Sequence, residues 1–113
     1  MSVCVHVEVK VVIPGFHRWA SAPERVAFLR DRHRHLFVIR ARKQVWHADR
    51  EVEFFVLRAA VLEALHAEYP SGVDGVEFGG SSCEMIATAL VHACGLVSCS
   101  VHEDDENGAE VFA

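Results

Sequence analysis

The first eleven residues alternate: Val3, Val5, Val7, Val9 and Val11 stand against Cys4, His6, Glu8 and Lys10. A period of two puts the valines on one face of an extended chain, so the pattern predicts a half-buried strand, which Pro14-Gly15 is expected to end. Residues 16–32 carry no clean period and include Pro23; they read as a loop with a short turn of helix. Alternation returns from about His33 to Trp46. One face carries His33, His35, Phe37, Ile39 and Ala41, the other Arg34, Leu36, Val38, Arg40 and Arg42. The polar cluster His47-Ala48-Asp49-Arg50 predicts a turn into a short third strand, Glu51 to Phe55.

The period then changes. Leu57, Ala60, Val61, Ala64 and Leu65 recur at helical spacing, and Pro70 and Gly72 close that helix. A Gly-rich loop over 71–80 leads to a second helix, with Ser81 or Ser82 as N-cap and Glu84 in the first turn, where it suits the helix dipole. Ile86, Ala89, Leu90, Ala93 and Cys94 are its expected buried face, and Gly95 its C-terminal cap. A strand from Val97 to Glu103, a hairpin turn at Asn107-Gly108 and a returning strand from Ala109 to Phe112 complete the chain. Grouped strands around grouped helices predict an α+β fold, an antiparallel sheet with both helices on one face, over a single domain of residues 1–113.

Composition narrows the functional classes. Of 113 residues, 51% are hydrophobic, enough for the core of one domain. A domain this small that exposes sheet edges is expected to finish its burial by self-assembly. A net charge of −5 speaks against general nucleic-acid binding. The arginine-rich run from Arg30 to Lys43 reads as a solvated strand face, or as a site for a phosphate-bearing small molecule. No stretch is long and apolar enough to span a bilayer, and the N-terminus lacks the signature of a signal peptide, so a cytoplasmic location is expected, with no membrane partner. Cys4, Cys83, Cys94 and Cys99 form no CxxC pair and are expected to be reduced.

Eight histidines are many for this length. His33 and His35, two apart on a strand, project from the same face, close enough to share a metal ion. The pair alone also fits the polar edge of a strand. A third ligand must come from elsewhere, and His17 is the best placed. Three neutral imidazoles leave one tetrahedral position of a zinc ion open. His6, His47 and His102 read as surface residues near strand ends, and His92 as solvent-facing. Glu103 shares parity with Val97, Cys99 and Val101 and so points to the apolar side, where a carboxylate needs donors. A heterocycle edge with two adjacent N–H groups, such as a 2-amino-4-oxopyrimidine, meets that need; so does solvent or an arginine at the strand end.

Phe16-His17-Arg18-Trp19, followed by His33-Arg34-His35-Leu36-Phe37 sixteen residues after His17, resembles the F-x-x-x-H-R-L … H-G-H-x-[FY] pattern of the 6-pyruvoyl- and 6-carboxytetrahydropterin synthases. Val52-Glu53-Phe54 … Leu57-Arg58 is similar to the family's I-D-F-x-x-L-K. Ser82-Cys83-Glu84 … Ile86-Ala87 is similar to P-T-[SA]-E-x-[LI]-A, and Val101-His102-Glu103 … Gly108-Ala109 to V-x-E-T-x-x-x-[GA]. The resemblance implies a T-fold, whose subunits join sheets into a barrel, often a homohexamer with sites between subunits. It implies a zinc ion (Zn2+) on His17, His33 and His35, and a pterin-like small molecule anchored by Glu103 with Ser82 and Glu84 nearby.

The chain also departs from the family. Leu29 stands where the resemblance would put the catalytic cysteine, and a leucine cannot abstract a proton. Leu65-His66-Ala67 aligns with the family's L-D-H, so the Asp–His pair is missing. Arg34 replaces the glycine between the two histidines. The expected function is therefore binding of a pterin-like or deazapurine-like heterocycle beside zinc, without the standard synthase reaction. One alternative is an active zinc-dependent lyase with His66 and Cys83 as substitute acid–base groups, Cys83 gaining thiolate character from the helix N-terminus. Another is a binding or assembly protein without metal.

Overall fold

The computed structural model describes residues 3–113. Strand β1 spans Val5–His17, β2 His33–Val45, β3 Val76–Gly79, β4 Ser98–Glu103 and β5 Asn107–Phe112. Helix α1 spans Phe54–Glu68 and α2 Cys83–Cys94, and a 3-10 segment covers Glu24–Arg30. The sheet order is β3-β1-β2-β4-β5, antiparallel except that β3 runs parallel to β1. This is the expected α+β class, with a mixed rather than wholly antiparallel sheet.

Alternation along β1 and β2 sends every second side chain to one face. Val9 and Val11 of β1 join Phe37, Ile39 and Ala41 of β2 and Cys99 and Val101 of β4 there. Leu57, Val61 and Leu65 of α1, at i, i+4 spacing, and Ile86, Ala87, Leu90 and Val91 of α2 pack against them. Both helices thus cover one face. The buried stripe of α2 is rotated from the expected one: Ala87 and Val91 are buried, while Ala93 is exposed and Ala89 and Cys94 are half-buried. The larger Val91 takes the place toward the sheet.

Charge occupies the opposite face. Arg42 binds Glu8 at 2.6 Å and also Glu110, and Arg40 reaches Asp105 at 3.4 Å. Arg32 pairs with Glu77 and stacks over the Phe16 ring at 3.7 Å. These arginines are spent on neighbouring carboxylates, which matches the solvated-face reading.

Three local expectations fail, each for a physical reason. Pro14-Gly15 does not end β1, which pairs with β2 through to His17↔His33 and with β3 from Gly15 onward. A Cβ on Gly15 would lie 2.5 Å from Phe78 Cε2 and 3.0 Å from Phe37 Cδ2, so the glycine serves close packing inside a continuing strand. No strand forms over 51–55. Glu53 instead caps α1, accepting from Phe55 N at 2.7 Å and Val56 N at 3.2 Å, and the third strand forms within the Gly-rich segment as β3. The β4–β5 turn falls at Asp104–Glu106, with Asp104 and Asp105 left-handed at φ 54° and 57°. Asn107 and Gly108 lie within β5, and a Cβ on Gly108 would meet the Val101 carbonyl oxygen at 2.2 Å.

The cap readings of α2 hold. Ser82 Oγ accepts from Met85 N at 3.1 Å, and Gly95 closes the helix at φ 61°, ψ 46°.

Candidate metal centre

The β1–β2 register builds the centre. His17 ends β1 directly opposite His33, and Gly15 faces His35. All three histidines share the core-facing parity and extend the apolar face past the helices, over Phe37. Ring centroids are 4.6 Å apart for His17–His33, 5.3 Å for His17–His35 and 5.0 Å for His33–His35. The Phe37 ring sits edge-on at 5.2 Å from His17 and 5.7 Å from His35, a dry floor for the cluster. One ligand atom from each histidine lies within 4.8 Å of the other two, so the group can hold a metal ion.

Each ring is oriented through Nδ1. His17 Nδ1 donates to the Ser81 carbonyl at 2.9 Å, His33 Nδ1 to the Asp31 carbonyl at 2.8 Å and His35 Nδ1 to Asp104 Oδ2 at 2.7 Å. That leaves three Nε2 lone pairs for the centre, since a histidine that ligates metal usually donates its other ring N–H to a carbonyl or carboxylate. His33 Nε2 and His35 Nε2 are buried without a hydrogen-bond partner, a cost that a bound cation removes. Burial holds the His17 pKa below its ordinary value; the Ser81 carbonyl and Glu103 oppose the shift, while charge on His33 and His35 adds to it. The neutral form thus favoured is the one that ligates metal. The donor set therefore fits a metal ion.

Glu103 points to this face, as its parity predicts, and sits between the histidines and α2. Its Oε2 lies 2.9 Å from His17 Nε2 and 3.7 Å from His35 Nε2. With His17 Nδ1 donating to Ser81, Nε2 and a carboxylate oxygen are two acceptors face to face, an arrangement that calls for a proton or a metal ion beside them. Among the described residues the ion-pair partners of Glu103 are His17 and His35, with no arginine.

A cleft of about 440 Å³ opens beside the cluster, within the usual size for a small-molecule site. His17, His33 and Glu103 line it together with Ser82, Cys83 and Glu84 of the α2 start, and with Trp19, Leu29 and Met85. Leu29, standing where the synthase motif would have a cysteine, thus faces the same space. The Cys83 thiol is pushed up to about 12, by burial first and then by the charges of Glu103 and Glu84. Burial outweighs the helix N-terminus, and the group is a neutral donor rather than a thiolate. His66 is exposed near the end of α1, with Nδ1 2.9 Å from Ser71 Oγ, outside the lining of the cleft.

Of the other histidines, His102 departs from the surface reading. It is half-buried on β4, packed over Gly108, and its Nδ1 is buried without a partner. Sequence reasoning also missed the groups that orient the rings: the Ser81 and Asp31 carbonyls and the Asp104 side chain. Backbone acceptors leave no sequence signal. Asp104 is one acidic residue in a run of four, Glu103 to Glu106, and only the fold distinguishes it.

The fold is matched among solved structures by 6-pyruvoyl tetrahydropterin synthase from Caenorhabditis elegans, with a TM-score of 0.63 and 12% identity over 98% of this chain and 96% of that one. At that identity the likeness establishes the shared T-fold architecture. No protein-family model and no curated protein sequence matches the chain. Among the described residues no helix is long and apolar enough to cross a membrane.

Proposed function

We propose that this T-fold chain binds zinc through His17, His33 and His35 and holds a pterin-like or deazapurine-like heterocycle in the adjoining cleft, without the standard synthase reaction. The observation that carries the reading is the convergence of three imidazoles whose Nδ1 atoms are all engaged and whose Nε2 atoms point inward, two of them buried and unpartnered. A zinc ion there would polarise a carbonyl or hydroxyl of the ligand. Glu103 accepts the ligand's ring N–H groups, Ser82 and Glu84 border it, and Phe37 keeps the floor dry. A second copy of the chain completes the cleft in a homo-oligomer of the hexameric kind.

What limits the reaction is proton transfer. Leu29 carries no base, Cys83 is held as a thiol, and His66 lies outside the cleft. A lyase using Cys83 and His66 as substitutes is the weaker reading for that reason. A metal-free binding protein is weaker too, since it leaves two buried imidazole nitrogens uncompensated.

Elemental analysis of the purified protein tests the metal, with the His33→Ala/His35→Ala double variant as control. About one zinc per chain, lost in the control, is expected. Pterins and deazapurines should then raise the melting temperature of the wild type and leave Glu103→Ala unmoved. Turnover of dihydroneopterin triphosphate to a tetrahydropterin would overturn the claim that the standard reaction is absent.

A further inference from the structure

We infer that Asp104 is a positioning residue of the metal centre, which fixes His35 in the tautomer that presents Nε2 to the ion. The inference rests on the metal reading above and extends it to a residue beyond the ligand set.

Both carboxylate oxygens of Asp104 are committed to β2. Oδ2 accepts from His35 Nδ1 at 2.7 Å, and Oδ1 accepts from the backbone N–H of Leu36, the next residue, at 2.9 Å. The backbone adds a third link, Asp104 N donating to the Leu36 carbonyl at 2.8 Å. The carboxylate is thus clamped to the ligand strand and does not float beside it. Its backbone is left-handed, at φ 54°, a region that aspartate and asparagine enter more readily than most residues.

The three ligands differ in this respect. His17 and His33 are oriented by backbone carbonyls, which substitution does not remove. His35 alone depends on a side chain, and that side chain is an anion, which also strengthens the donor power of the opposite nitrogen. The consequence of an amide at position 104 follows from donor and acceptor counting. The Leu36 N–H needs an acceptor, so an asparagine must turn its oxygen there and its NH2 toward His35 Nδ1. Nδ1 then becomes the acceptor, the ring proton moves to Nε2, and the metal face is blocked. Glycine at 104 keeps the left-handed turn and leaves water to serve His35.

The experiment compares wild type, Asp104→Asn and Asp104→Gly. Zinc affinity is measured by chelator competition, cobalt substitution is followed by visible absorption, and the His35 tautomer is read from imidazole nitrogen shifts of the metal-free protein at mildly alkaline pH. Asp104→Asn should weaken zinc binding about 10–100-fold, alter the cobalt band and move the His35 proton from Nδ1 to Nε2, with unchanged thermal unfolding of the metal-free form. Asp104→Gly should lose less affinity than Asp104→Asn. Unchanged affinity and tautomer in Asp104→Asn would overturn the inference. So would loss of affinity matched by equal loss of metal-free stability in both variants, which is the mark of a merely structural residue. If the wild type itself takes up no zinc, the metal reading fails, and the tautomer measurement alone still decides whether Asp104 sets His35.

Discussion

His17 and His33 stand directly opposite one another at the final register position of the β1–β2 ladder, with ring centroids 4.6 Å apart. The pairing links two residues that the 3-10 segment and its loops separate along the chain. A ligand shared by this pair and His35 would pin the two longest strands together where the sheet meets the cleft.

Metal should therefore stabilise the fold. Zinc in hundredfold excess over its dissociation constant adds about 2.7 kcal/mol, a rise in Tm of roughly 10 °C for a domain of this size. Calorimetry with and without a chelator should show that rise in the wild type and none in His33→Ala. An equal zinc effect in both proteins would place the ion elsewhere.

Gly15→Ala should cost about 1–3 kcal/mol, because the added methyl group meets the buried Phe78 and Phe37 rings at 2.5 and 3.0 Å. The Phe37 ring also packs against His17 and His35, so zinc affinity should fall with stability. Denaturant midpoints and chelator competition on one preparation check both effects. A neutral substitution would mean that the aromatic rings shift freely.

Ser82→Ala should lower stability by about 1 kcal/mol, through loss of the bond from Met85 N, while Ser82→Gly should cost only a few tenths. Urea unfolding separates the two. If both variants bind a pterin as the wild type does, Ser82 acts on the helix alone.

Cys83 should resist alkylation. Its thiol is pushed up to about 12, chiefly by burial, whereas Cys4 is exposed. Peptide mapping after iodoacetamide treatment of the native protein should find Cys4 modified and Cys83 intact until unfolding. Rapid native labelling of Cys83 would revive its role as a reactive thiol.

Much of the local structure was legible. The parity of His33, His35 and Glu103, the Ser82 and Gly95 caps and the two helices follow from side-chain periodicity and cap chemistry, which act over a few residues. Asn107-Gly108 misled, since its glycine serves the approach of β5 to β4 and the aspartates make the turn. Glu51 to Phe55 misled in the same way: it reads as a short strand, but Glu53 accepts from the backbone N–H groups of Phe55 and Val56 and starts a helix.

What the sequence by itself determined was the α+β class, the face each strand buries and the two histidines that share it. Tertiary structure alone decided that β1 continues through Pro14-Gly15, that β3 runs parallel beside it, and that His17 meets His33. It also supplied the partners that orient the rings, Ser81 lying 64 positions from His17 and Asp104 lying 69 from His35. Periodicity and caps are local properties of the chain. Strand register and ring orientation depend on groups brought together only when the core closes, and no short-range pattern encodes them.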